Sequence, residues 1–158
     1  MLSDTRALWR ISNHGDLAGL GGEKTSGRWH TAARGKRIVY LSEHPALALI
    51  ESLATLKGNP KLFPGTYQLL RISVADSLSR EVLDPNILSN KWREEIHETR
   101  LIGNNWLANS RSALLAVPSG PSPESLNYLF NPLHADSRGL TIDWQKRIAY
   151  DLRLFHLP

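Results

Sequence analysis

Cysteine is missing from the chain altogether, which rules out disulfides, thiolate nucleophiles and thiolate metal sites together. A reducing compartment suits such a chain, and cytoplasm is the expected location. Long apolar runs are missing too. Nothing approaches the roughly 18 consecutive apolar residues of a membrane helix, and Met1-Leu2-Ser3-Asp4 is not a basic stretch leading into an apolar one, so neither membrane insertion nor export is expected. The six histidines include no His-x-x-x-His pair, and no metal site is expected. Gly19-Leu20-Gly21-Gly22 does not complete a Gly-x-Gly-x-x-Gly pattern opening a helix after a strand, so no resident dinucleotide redox cofactor is indicated. Neither an internal repeat nor a linker divides the sequence, and residues 1–158 read as a single domain.

What is present is an ordinary globular composition. With 41% hydrophobic and 22% charged residues, the chain has the apolar content for one core and too little charge for disorder. A domain of this length buries roughly two-thirds of the surface its unfolded form exposes. The net charge of +4 favours anionic partners. The basic residues are scattered, however, and only Arg34, Lys36 and Arg37 cluster. Direct nucleic-acid binding is therefore not expected.

Periodicity and turn chemistry suggest an α/β fold. Leu8 to Ser12 alternates as a strand that projects Arg10, and Gly19 to Gly35 reads as a long surface loop interrupted by Arg28 and Trp29. Arg37 to Leu41 is a strand with Tyr40 near its end, followed by a helix over His44 to Ala54 that Gly58 helps to end. Further strands are expected around Tyr67 to Val74, Ser112 to Val117 and Asn127 to Phe130. Two short helices are expected between Asp84 and Leu107, whereas Gly139 to Phe155 fits strand or helix equally.

Four features stand out against that frame: Arg10 on an early strand, Arg28 beside Trp29, Tyr40 at a strand end, and Glu51 on the helix. Glu51 shares a helical face with Leu47 and Ala54. Glutamate is seldom buried unless it is paired, so this placement requires an ion pair or a functional site. The short Ser42 to His44 connection brings Tyr40 and Glu51 toward one another. Taken singly, Arg28 reads equally as a solvated loop arginine and Tyr40 as a core tyrosine.

These residues lie in longer blocks. Gly27-Arg28-Trp29, Ile38-Val39-Tyr40-Leu41-Ser42-Glu43 and Pro45-Ala46-Leu47-Ala48-Leu49-Ile50-Glu51 resemble the core of the RES-domain toxins. Ser110 to Ser119 and Asn127 to His134 are similar to that family's later blocks, so the resemblance runs from Trp9 to about Asp136. The family's namesake arginine, glutamate and serine map onto Arg28, Glu51 and Ser112, with Ser119 the second choice for the serine; Arg10 and Tyr40 match family positions as well. There are two departures. His30 stands where the family has asparagine, and His134-Ala135-Asp136 stands where a second proline is expected. His30 is expected to be a loop residue, an acid–base role being the alternative.

The resemblance implies a fold like that of ADP-ribosyltransferase toxins, a small mixed sheet within one domain. It also implies degradation of NAD at the nicotinamide–ribose bond, with inorganic phosphate as co-substrate, and an Xre-family helix-turn-helix antitoxin that blocks the active site. NAD is then a substrate, and no cofactor is called for. Arg28, Glu51 and Tyr40 are the expected catalytic residues, with Arg10, Ser112 and Trp29 binding substrate. ADP-ribosylation of a protein target and a small ribonuclease toxin are the alternatives, and a homodimer is left open.

Overall fold

Short apolar-rich segments spread from Ala7 to Ala149 pair into one seven-stranded sheet in the computed structural model, which describes residues 7–57 and 59–155. Met1 to Asp4 and Gly58 lie outside the described residues. The strands are β1 (Ala7–Ile11), β2 (Val39–Ser42), β3 (Thr66–Val74), β4 (Arg80–Val82), β5 (Leu114–Pro118), β6 (Leu126–Phe130) and β7 (Leu140–Ala149), in spatial order β4-β5-β6-β2-β1-β3-β7. Only β4 and β5 run parallel; every other neighbouring pair is antiparallel. The sheet is therefore mixed, and the α/β architecture expected from the sequence is the one observed.

Successive residues of β5 fall alternately into two apolar clusters, Leu114 and Ala116 in one, Leu115 and Val117 in the other. Side chains alternate across a strand, so these clusters lie on opposite faces of the sheet. Such two-sided burial explains the unbroken apolar run Ala113 to Val117. By contrast β7, an edge strand, is mostly exposed and carries Lys146 and Arg147, charge of the kind that protects an edge from further pairing. Pairing with β3 from Thr66↔Ala149 to Val74↔Leu140 makes this stretch a strand, the alternative that periodicity alone left open.

Among the described residues three α-helices accompany the sheet: the single turn α1 (Gly21–Lys24), α2 (Pro45–Thr55) and α3 (Ile96–Asn109). The start of α2 is written in its sequence. His44 accepts a hydrogen bond from the Ala46 amide through Nδ1 at 3.1 Å, and Pro45 occupies the first turn, where no amide partner is needed. The two short helices expected between Asp84 and Leu107 are instead a 3-10 turn at Pro85–Ile87 followed by the single helix α3. Gly103 and Asn104 are weak helix formers, yet they lie inside α3 because tertiary contacts use them.

Candidate active site

The segment Gly27 to Thr31 is held by one face of α3. Thr99 Oγ1 donates to the Arg28 carbonyl at 2.6 Å, Arg100 Nε donates to the Gly27 carbonyl at 2.8 Å, and Asn104 Oδ1 accepts from the Thr31 amide at 3.0 Å. A Cβ on Gly103 would collide with the Trp29 carbonyl, so the glycine lets helix and loop meet backbone to backbone. This corrects the expectation of a surface loop. Trp29 is 2% exposed and His30 1% exposed, and Trp29, expected to bind substrate, packs with Trp106, Leu115 and Val117 and does not line the cleft.

His30 is a structural pin. Its Nε2 donates to the Gly22 carbonyl at 2.9 Å, while Nδ1 lies 2.7 Å from the Tyr40 hydroxyl and 3.3 Å from the Gly27 amide, which donates to it. With Nε2 bearing the proton, Nδ1 accepts, and the imidazole is neutral. Burial lowers its pKa, with Arg100 contributing in the same direction. Tyr40 is tied into the same knot, because its hydroxyl donates to His30 and accepts from the Trp29 amide at 3.1 Å. Burial raises the phenol's pKa well above the usual range, so it stays protonated. Tyr40 thus offers the cleft its ring, and its hydroxyl is engaged inward.

Glu51 is paired, as the sequence requires, but not with a cation. Its Oε1 accepts from Ser119 Oγ at 2.6 Å and from Asn127 Nδ2 at 2.6 Å. Each donor is itself fixed: Ser42 Oγ donates to Asn127 Oδ1 at 2.8 Å, and the Ser122 amide donates to Ser119 Oγ at 3.2 Å. α2, β2, β6 and the turn after β5 all contribute to this arrangement. Both bonds fall on one oxygen, so the carboxylate is oriented while no described basic residue forms an ion pair with it.

Glu51 lines a cleft of about 1300 Å³ together with Arg10, Arg28 and Tyr40, so the structure gathers these four expected residues at one place. That volume exceeds the range usual for a single drug-sized ligand and leaves room for a dinucleotide. Arg10 reaches over from β1, where burial lowers its pKa and the Asp16 charge partly offsets the effect. Arg28 lies over the Trp92 ring, 5.8 Å from its centroid, and its Nη1 is buried with no hydrogen-bond partner among the described residues. Arg28 as a residue lines the cleft, and a buried guanidinium nitrogen without a partner is a group that calls for one. Among the described residues no group of three or more His, Asp or Glu could hold a metal ion, and no helix is long and apolar enough to cross a membrane.

Ser112 does not belong to this cleft. It is 2% exposed, accepts from Trp106 Nε1 at 2.9 Å and donates to Glu81 Oε2 at 2.6 Å. The serine beside Glu51 is Ser119, the second choice from sequence. Asn127 and Ser42 were not singled out at all. Their one sequence signal was a polar residue within a strand segment that otherwise reads as buried.

Comparison with known proteins bears on the family and the fold. A family model described as the RES domain matches residues 7–152. The protein named Toxin Res from Pseudomonas putida is 40% identical over 148 residues, an alignment covering 94% of this chain and 99% of that protein. The Prs ADP-ribosylating toxin of Sphingobium sp. is 35% identical over 160 residues, covering 95% and 97%. Among solved structures, a chain of the M. tuberculosis MbcT-MbcA toxin-antitoxin complex superposes with a TM-score of 0.75 at 16% identity, covering 91% of this chain and 84% of that one, which shows a shared fold. Sequence blocks, matched family and shared architecture coincide, and the chain belongs to the RES-domain toxin family.

Proposed function

We propose that the protein is the toxin of a toxin–antitoxin pair and that it breaks the nicotinamide–ribose bond of NAD, passing the ADP-ribosyl group to inorganic phosphate. The observation that carries this reading is the oriented carboxylate of Glu51 in a cleft it shares with Arg10 and Arg28. As nicotinamide departs, positive charge develops on the ribose. A preorganised anion stabilises that charge, and it does so more strongly in a cleft than in bulk water. Nicotinamide leaves as a neutral molecule, so the chemistry requires no general acid. This agrees with a His30 that is buried, neutral and committed to structure.

The arginines supply binding. A guanidinium makes planar paired hydrogen bonds to phosphate oxygens, which suits Arg10 to the dinucleotide's diphosphate. The Tyr40 ring offers a flat surface for the ribose or the nicotinamide. The partner in this reading is an Xre-type helix-turn-helix antitoxin that occludes the cleft, and both proteins act in the cytoplasm. Incubating the purified protein with NAD, with and without phosphate, and separating the products by chromatography tests the reading. Nicotinamide together with ADP-ribose 1″-phosphate is expected; RNA fragments from a parallel incubation, without nicotinamide release, would replace it with a ribonuclease.

A second acceptor is favoured by one finding, the ADP-ribosylating toxin among the relatives. In that reading the same bond breaks and a protein side chain takes the place of phosphate. Mass spectrometry of proteins exposed to the toxin and NAD distinguishes the two by an added ADP-ribosyl mass.

A further inference from the structure

An acceptor phosphate requires a place at the carboxylate end of the cleft, apart from the dinucleotide's own phosphates. Gly120 marks such a place. It follows Ser119, which is bonded to Glu51, and an arginine lies against it from each of two other segments. Arg93 Nε donates to the Gly120 carbonyl at 2.8 Å, and a Cβ built on Gly120 would stand 3.0 Å from Arg28 Nε. Neither arginine makes a salt bridge among the described residues. Two like charges brought together without a carboxylate between them repel, and an anion relieves that cost.

The free valences also match. Arg93 uses Nε on the backbone, which leaves its two terminal nitrogens for a ligand, and the Arg28 guanidinium keeps one nitrogen, Nη1, without a partner among the described residues. Gly120 carries no side chain, and a Cβ there would crowd the Arg28 guanidinium. Lys91 and the carboxylate of Glu94 belong to the same cleft lining. Arg10 comes from β1 on a different wall, which suits it to the diphosphate.

We propose that Arg28 and Arg93, flanking Gly120, bind the inorganic phosphate that accepts the ADP-ribosyl group. This rests on the phosphorolysis reading and deepens it. An oxygen of hydrogen phosphate forms the new bond to the ribose C1″ while the bond from C1″ to the nicotinamide nitrogen breaks. Both electrons of that bond go to the nitrogen and cancel its positive charge, and the proton carried by the phosphate passes to solvent. Arg93 orients the acceptor and Glu51 steadies the sugar.

The test is nicotinamide release by wild type, Arg93→Ala and Arg93→Lys, measured against phosphate at saturating NAD and then against NAD at saturating phosphate. Loss of a charged hydrogen-bonding partner raises KM for phosphate about tenfold or more in Arg93→Ala, leaves KM for NAD within about twofold, and is only partly restored by Arg93→Lys, which lacks the planar fork. An unchanged KM for phosphate, or a rise in KM for NAD in its place, overturns the site. Should Arg93→Ala fold poorly, Gly120→Ala replaces it, because its methyl group crowds Arg28 and raises KM for phosphate by a second route. The two failures are separable. Wild type that releases nicotinamide equally fast without phosphate removes phosphorolysis itself, whereas phosphate dependence with an unmoved KM in Arg93→Ala removes only the site.

Discussion

β5 has a serine at each end that donates its hydroxyl to a glutamate at 2.6 Å: Ser112 to Glu81 near its start, and Ser119 to Glu51 just past its finish. Both serines are buried, and the local chemistry is the same. The surroundings differ. Glu81 sits on the edge strand β4 with Arg111 Nη2 3.3 Å from Oε1, and Trp106 closes over Ser112. Among the described residues Glu51 accepts only from neutral donors, an amide and a hydroxyl, and it faces a cleft with Arg10, Arg28 and Arg93 in its lining. A serine–glutamate pair is therefore no sign of a site in itself. What separates the two is whether the carboxylate's charge is answered nearby or left for a ligand.

The sharpest way to break this comparison is to remove each charge while keeping the shape. Glu51→Gln retains an oxygen for Ser119 and Asn127, so the fold and melting temperature hold while kcat for nicotinamide release falls about 10²- to 10³-fold, the usual loss for one electrostatic group in a reaction centre. Glu81→Gln leaves kcat within about twofold, because its charge serves only a partly exposed pair. Equal loss in both variants would erase the distinction.

The serines should separate next. Ser119→Ala takes away one of the two bonds that orient Glu51 and lowers kcat about 10- to 100-fold with little change in stability. Ser112→Ala does the reverse. It leaves the buried Trp106 Nε1 without an acceptor, costs about 1–3 kcal/mol by denaturant unfolding, and spares kcat. Similar kinetics for the two variants would count against the assignment of Ser119.

Acidification gives a smaller effect that again divides the regions. The folded-state pKa of His30 lies below its ordinary 6.5, so the neutral-imidazole contribution is complete above pH 6.5 and is lost progressively as pH falls below that value. Hydrogen exchange at Gly27, Trp29 and the rest of the cleft-side loop should quicken there before it does at Leu114 and Leu115 beside Ser112. Smallest of all, Arg111→Ala removes an exposed ion pair and should change stability by less than about 1 kcal/mol in a thermal melt.

Much of this organisation was legible in the chain. The helix of α2 announces itself through His44, Pro45 and an unbroken set of helix formers, and Glu51 on its apolar face was a polar residue demanding a partner. Which partner was beyond local pattern. Ser119 and Asn127 lie 68 and 76 residues further along, and Ser112 presents the same hydroxyl in a similar apolar run. The Arg28 loop was misread for a related reason. Thr99, Arg100, Gly103 and Asn104 hold it from some 70 residues away, and those positions look like weak helix until the loop they support is beside them.

The sequence by itself determined the strand and helix alternation, the absence of thiol chemistry, the family blocks, and the arginines and glutamate from which a site could be made. Tertiary structure decided which serine meets Glu51, that Tyr40 turns its hydroxyl inward to His30, and that Arg93 stands beside Arg28 at Gly120. The physical reason is one of range. Propensity and periodicity act over a few neighbouring residues, whereas orienting a carboxylate requires hydrogen-bond donors at fixed distance, and only the sheet's strand order brings β2, β6 and the end of β5 to the helix that carries it.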